Sequence, residues 1–271
     1  MQPNSHRLKH FFLSLLKLII SPKRPSDAAL RSFDRILVVR QHDQLGDMLC
    51  VVPLLRGLRQ RYAQAHIALM TSPVNHDVML NNPYVNQVIK YDKRDFLSRS
   101  FIRFGALWRF VRKLREEKFE LGIVPSTVSM SVTSDLLGYL FGAQYRIGAE
   151  GIDGVENPSG VFFNVPVTLD WRADPHRHQS LRNLDIARPL GLQVTDMRSC
   201  IGLMEEEVEQ AKAFVSQLGL SAPIIVFHPG AGKLPNRWPA ERFARVADTL
   251  ARELNAAVLI THGPMDDGPV T

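Results

Sequence analysis

From Arg35 onward the chain alternates short β-branched runs with longer stretches of helical period, a pattern that few folds other than a parallel α/β sheet can satisfy. Arg35-Ile-Leu-Val-Val-Arg40 is the first predicted strand. Leu45, Met48, Leu49, Val52, Leu55 and Leu58 then recur at a period near 3.6, which predicts one helix that Pro53 kinks rather than ends. Strands are expected at 67–70 and 88–91, with an Asn- and Pro-rich segment at 72–83 between them. A helix over 105–118 leads to a strand at 121–124, and a helix over 134–141 leads to one at 144–147, making five strands with mostly helical crossovers.

Beyond that point the alternation stops. Gly151, Gly154, Pro158, Gly160 and Pro166 punctuate 148–175, which reads as an irregular excursion before a helix beginning near Asp174. A linker and bridging helix occupy 191–222, the helix opening on Glu205-Glu206-Glu207, which suits the positive end of its dipole. A second α/β unit follows: a strand at 224–228, a loop, a helix over 239–254 with Pro239 at its first position, and a strand at 257–261. A doubly wound domain needs about five or six strands, so the expected organisation is an N-terminal α/β domain at 34–190 and the start of a second, incomplete α/β domain at 223–271.

Charge narrows the partners. Of the formal +6, most sits in the first 24 residues, where Arg7, Lys9, Lys17, Lys23 and Arg24 meet no acidic residue, and the rest of the chain is close to neutral. A nearly neutral body without a stripe of cations and aromatics argues against nucleic acid. Within the leader, Leu8, Phe11, Phe12, Leu15, Leu16 and Ile19 share one helical face. Its apolar stretch is interrupted by Lys17 and reaches only about half of the ~20 residues a spanning helix needs. Ser21-Pro22-Lys23-Arg24-Pro25 offers no small-x-small cleavage site for a signal peptide. Residues 6–20 therefore read either as an in-plane helix on an anionic membrane face or as a helix docked on the protein's own body. Cys50 and Cys200 lack a CxxC partner or histidines at metal-ligand spacing, so neither a disulfide framework nor a structural metal is expected, and a reducing cytoplasm fits.

Two stretches carry chemistry. Gln41-His42-Asp43-Gln44-Leu45-Gly46-Asp47 follows the first strand and sets one glycine, Gly46, and one carboxylate, Asp47, where open α/β sheets bind ligands, without a GxGxxG fingerprint. Asp47 alone reads as a helix cap or as a catalytic carboxylate. The second stretch, His228-Pro-Gly-Ala-Gly-Lys-Leu-Pro-Asn-Arg-Trp-Pro239, joins a strand to a helix through Gly230 and Gly232 with Lys233 and Arg237 beside them. Backbone N–H groups and cations at a helix start suit phosphate. It is not a P-loop, since Leu234 stands where Ser or Thr would bind magnesium. A plain turn with solvated cations is the other reading. Arg94, Arg99, Arg103, Arg109, Arg112, Lys113, Arg115 and Lys118 make 94–118 basic, either a solvated helix face or a surface for a phosphorylated acceptor. His176 and His178 lack the i, i+4 spacing of metal ligands and are expected at the surface.

Taken together, Arg35-Ile-Leu-Val-Val-Arg40, then Leu45-Gly46-Asp47 and Pro53-Leu-Leu-Arg56, resembles the opening of the heptosyltransferases, glycosyltransferase family 9, and His228-Pro-Gly-Ala231 with Asn236-Arg-Trp-Pro239 and Glu241-Arg-Phe243 resembles the start of their second domain. The resemblance covers about 34–265 and implies a GT-B architecture, two Rossmann-like domains facing a cleft. It further implies inverting transfer of a heptose from ADP-heptose to the inner core of lipopolysaccharide without a required metal or other cofactor. Asp47 matches the proposed general base, and Lys233 and Arg237 fall in the loop that binds donor phosphates. Family members often carry lysine where this chain has Asn236, which shifts the expected phosphate role to Lys233 or Arg237. A later Asp-Thr-Gly…His donor segment has no counterpart here, so a truncated or non-catalytic acceptor-binding form is the alternative expectation.

Overall fold

The computed structural model describes residues 25–26, 30–41, 44–96, 103–127, 129–220, 223–232 and 234–263. The helix expected at 6–20, Arg99 of the basic segment, and Lys233 lie outside them. The chain divides into two compact units, Met1–Gly202 and Leu203–Thr271.

In the first unit, the described residues form one sheet from β1 (Arg35–Arg40), β2 (His66–Thr71), β3 (Gln87–Lys90), β4 (Leu121–Ile123), β5 (Tyr145–Ile152), β6 (Val155–Glu156) and β7 (Val165–Leu169). The order runs β3-β2-β1-β4-β5, and β7 joins β5 in parallel while β6 folds back on the end of β5. Helices α1 (Leu45–Leu49), α2 (Val52–Arg61), α3 (Pro73–Met79), α4 (Lys93–Phe96), α5 (Phe104–Glu116), α6 (Val132–Leu140) and α7 (Gln179–Ile186) make up the rest of the regular structure, with short 3-10 turns. Strand side chains alternate between two buried clusters. Ile36, Val38, Ile67 and Leu69 pack with Leu54, Leu55 and Leu58 of α2, whereas Leu37, Val39, Ala68 and Met70 pack with Leu114 of α5 and Leu137 of α6. Covering both faces is what lets each strand be apolar throughout. The chain builds outward from β1 through β2 to β3, then returns to β4 on the other side of β1, which leaves a crevice at the carboxyl ends of β1 and β4.

Three expectations need correction. Pro53 does not kink one helix; the period breaks after Leu49, and Pro53 sits in the first turn of a new helix, where its missing N–H costs nothing. The stretch 148–175 is not an irregular excursion, because β5 runs on to Ile152, turns through Asp153 and Gly154 (φ 54 and 84) into β6, and returns as β7. An Asp-Gly pair with both φ positive is the tight hairpin signal, which the run of prolines and glycines around it obscured. The helix expected near Asp174 starts at Gln179, where the Nδ1 of exposed His178 accepts from the Ser180 N–H at 3.3 Å as its cap.

Residues 192–200, expected as linker, pack on the first unit. A Cβ on Gly57 would come within 2.6 Å of Val194 Cγ2, so only glycine allows this approach. Next to it Arg56, 5% exposed, donates through Nε to the Tyr84 hydroxyl at 2.9 Å, through Nη2 to the Arg198 carbonyl at 2.7 Å and through Nη1 to the Asp196 carbonyl. The family-like Arg56 is thus a staple. Arg56→Met should lower unfolding stability by about 1–3 kcal/mol, since two part-buried carbonyls and a phenol lose their donor; a denaturant midpoint unchanged from the parent would remove that role.

The second unit contains α8 (Glu205–Gln217), β8 (Ile224–Phe227), α9 (Ala240–Leu254) and β9 (Ala257–Ile260). At the start of α8 the Glu207 carboxylate reaches back to the Met204 N–H at 2.7 Å. β8 and β9 pair in parallel from Ile224↔Ala257 to Phe227↔Ile260, with α9 as their crossover. Phe243 on α9 meets Trp238 edge-on at 5.0 Å and Phe227 at 6.0 Å. Pro239 caps α9 rather than opening it.

Candidate functional site

The crevice of the first unit is organised by a buried cation. Arg40 ends β1 in phase with Ile36 and Val38, so the two-residue period turns it inward, and it is only 1% exposed. Its Nη1 donates to the Pro125 carbonyl at 2.8 Å, which ties β1 to the segment after β4. Its Nη2 stands 3.9 Å from Asp47 Oδ2. Among the described residues Arg40 Nε has no hydrogen-bond partner, nor does Oγ1 of Thr71, the residue paired with it in register on β2. Burial pulls the guanidinium pKa below its ordinary value, and the Asp47 carboxylate works against that shift. A buried guanidinium needs a counter-ion; Asp47 supplies it.

Asp47 is not a helix cap. It lies in the first turn of α1, Gln44 holds the cap position, and no side chain caps the helix. About a fifth of the Asp47 side chain reaches solvent, 20%. The residue is therefore positioned from below by Arg40 and open above. Gly46 beside it is exposed, and a Cβ added there would meet nothing within 4 Å. No packing within the described residues demands a glycine there. Gly46→Ala should leave thermal stability equal or slightly higher, by about 0.5–1 kcal/mol from helix propensity, while lowering turnover. A matched loss of stability and activity would count against a ligand passing close to this backbone.

Further polar groups close the crevice. Thr127 Oγ1 bonds Asn183 Oδ1 of α7 at 3.1 Å, and Asn183 Nδ2 donates to the Cys50 carbonyl at 2.9 Å, which fixes the end of α1. Gln41 donates to Ser134 Oγ at 3.4 Å, and Ser131 Oγ accepts the Ser134 N–H at the start of α6. A cleft of about 460 Å³ opens at the carboxyl edge, lined by Gln41, Ser72, Pro73, Val74, Tyr91, Asp92, Lys93 and Arg94. Asp47 is not among its walls. One turn into α6, Asp135 is buried and accepts from Asn157 Nδ2 at 3.0 Å and Ser159 Oγ at 2.5 Å. Burial pushes its pKa up from 3.8 to about 6, with the two hydrogen bonds opposing.

In the second unit, His228, Gly230, Gly232, Asn236 and Arg237 all lie on or beside the one loop between β8 and α9. His228 Nδ1 is 3.1 Å from Thr261 Oγ1, past the end of β9, and Arg237 Nε donates to the Ala231 carbonyl at 2.9 Å, folding the loop over itself. Asn236 is exposed in a 3-10 turn, and a Cβ on Gly232 would meet nothing within 4 Å. The structure thus gathers the expected residues into two groups, Gly46 with Asp47 and the 228–237 loop. Thr71, Ser134, Asp135 and Asn183 were not singled out from the sequence, and Arg40 was noted as the end of the family-like first strand but given no role. Only Arg40 carried a signal: a charge in phase with the apolar residues of a strand.

The model of glycosyltransferase family 9 (heptosyltransferase) matches residues 107–269. The chain belongs to this family. Lipopolysaccharide heptosyltransferase 2 of Escherichia coli (strain K12) is 28% identical to it over 222 residues, 79% of this chain and 60% of that protein. The crystal structure of the family 9 glycosyl transferase from Veillonella parvula DSM 2008 superposes with a TM-score of 0.69 at 27% identity, covering 88% of this chain and 65% of that one. The structure of E. coli ADP-heptose lps heptosyltransferase II superposes with a TM-score of 0.67 at 23% identity, covering 87% and 66%. The family 9 chain is therefore α/β of the GT-B type, with Rossmann-like folding in both units, and it spans about three fifths of the length of the curated relative it matches.

Proposed function

We propose that this protein is an inverting glycosyltransferase that moves a heptose, or a related sugar, from ADP-heptose to a lipopolysaccharide-core acceptor at the cytoplasmic membrane face. The observation that carries the reading is Asp47, a part-exposed carboxylate at the carboxyl end of β1, set in place by the buried Arg40. Membership of family 9 supports it. In this reading Asp47 takes the proton of the acceptor hydroxyl as that oxygen attacks the anomeric carbon from the face opposite the leaving group. The bond from the anomeric carbon to the diphosphate oxygen breaks, and the nucleotide diphosphate departs with the electron pair. Charge on the 228–237 loop, from Lys233 and Arg237, would stabilise that diphosphate, and the backbone at Gly230 and Gly232 leaves room for it. No metal or cofactor is called for. Residues 6–20 are the proposed lipid contact; no helix among the described residues is long and apolar enough to cross a membrane.

The test is to incubate the full chain with ADP-heptose and a lipid-linked core acceptor and to follow ADP release and product anomer, with and without chelator. The expected result is a product of inverted configuration and a rate indifferent to chelation. Acceptor binding without measurable donor binding would instead mark an acceptor-binding module and end the transferase reading for this chain.

A further inference from the structure

Helix α5 carries more apolar surface than its core face needs. Leu114 is buried, and Ala106, Leu107 and Phe110 are partly buried against the cluster beneath the sheet. Phe104 and Trp108, one turn apart, point elsewhere and are 72% and 62% exposed. Around them Arg103, Arg109, Arg112, Lys113 and Arg115 are all exposed. The Arg112 guanidinium lies over the Trp108 ring at 5.3 Å and pairs with Glu116 at 3.3 Å, which neutralises the helix's one exposed acidic side chain. Arg115 is tied back to the Leu140 carbonyl at 2.7 Å. The first turn of α5 is also fixed: Arg103 N donates to the Phe96 carbonyl of α4 at 2.8 Å, and α4 begins with Lys93, a wall of the cleft. The aromatic pair therefore sits at the end of the helix nearest the carboxyl edge.

We propose that this flank of α5 is a lipid-docking surface, with Phe104 and Trp108 entering the interfacial region of an anionic bilayer and Arg109, Arg112 and Lys113 meeting headgroup phosphates. Charge and area choose the occupant. An exposed Trp and Phe ringed by cations match the interface, where aromatic rings settle at headgroup depth and cationic stems reach phosphate. At about 200 Å² per aromatic side chain, the two rings expose roughly 300 Å² of apolar surface, a small area that suits shallow insertion at a bilayer interface. Two rings are enough for shallow insertion. Docking here would bring the cleft edge beside the membrane, which is where a lipid-linked acceptor of the proposed reaction would reside; this purpose rests on that reading, whereas the docking itself does not.

The experiment uses the full chain carrying Trp238→Phe, leaving Trp108 and the buried Trp171 as fluorophores. It is mixed with vesicles of phosphatidylcholine with or without phosphatidylglycerol, some bearing brominated acyl chains. The expected result is a blue shift and bromine quenching of Trp108 on phosphatidylglycerol vesicles only. Phe104→Ser with Trp108→Ser should lower partitioning roughly tenfold or more, and Arg109→Gln and Lys113→Gln roughly fivefold each, with unchanged melting temperatures. Vesicle binding with Trp108 unquenched would overturn the proposal, because the leader at 6–20 would then be holding the chain alone. Absence of binding would overturn it too, as would lipid-independent self-association abolished by the serine pair, which would assign the flank to a second copy. Because no sugar nucleotide is present, failure of transfer and failure of docking are read separately.

Discussion

Asp47→Asn is expected to lower turnover by about a hundredfold to ten-thousandfold, the usual contribution of a positioned general base. The substitution is close to isosteric, and Asp47 makes no capping hydrogen bond whose loss would unwind α1. Its structural partner is Arg40 at 3.9 Å, with a fifth of the carboxylate side chain already in solvent. Arg40 keeps its bond to the Pro125 carbonyl in the variant. The stability loss should therefore be about 1–3 kcal/mol, because Arg40 stays buried without its counter-ion while the pair itself is long and part-solvated. Donor affinity, measured by calorimetry with ADP-heptose, should stay within a few-fold of the parent. Turnover within tenfold of the parent would remove Asp47 from the base role, and a collapsed fold would recast it as mainly the counter-ion of Arg40.

The second large effect concerns Asp135. Its carboxyl is raised to about 6 in the folded chain by burial, against 3.8 for an ordinary carboxyl. The sign follows from proton count. Between about pH 4 and pH 6 the unfolded chain has released this proton and the folded chain has not, so stability falls as pH rises through that window and the loss is complete above it. A shift of about two units corresponds to about 3 kcal/mol, and at 1% exposure little of it is screened. Asp135→Asn keeps an oxygen for Asn157 and Ser159 and buries no charge. Subtracting the variant's stability from the parent's at each pH cancels other titrations, and the difference should move by about 2–3 kcal/mol between pH 4 and pH 7. A flat difference would show that Asp135 ionises like a surface carboxylate. Because Asp135 adjoins Ser134, which receives the Gln41 hydrogen bond at the cleft, the neutral-pH variant should also hold the start of α6 at least as firmly.

How much of this was legible in advance varies element by element. β1, β2, β8 and β9 were read within about a residue, because runs such as Ile36-Leu-Val-Val39 leave no polar side for a helix and are bounded by turn residues. The start of β5 was read too, but its continuation to Ile152 with β6 and β7 was not, although Asp153-Gly154 was in view. The β5–β6 turn is local, but Gly148 and Gly151 are there because Phe163 and the Val155 carbonyl occupy the space a Cβ would need. Glycine then looks like loop in the sequence and is close packing in the fold. Arg56 was noticed as a motif residue, but its staple role depends on carbonyls 140 residues or more away.

By itself the sequence determined the α/β class, the two-unit order and the two loops that follow β1 and β8, since each depends on local period and turn chemistry. Only the tertiary structure decided what those residues face. The burial of Arg40, its use of Asp47 as counter-ion, the raised pKa of Asp135 and the outward pose of Phe104 and Trp108 are set by desolvation, which depends on what the rest of the chain places around a side chain.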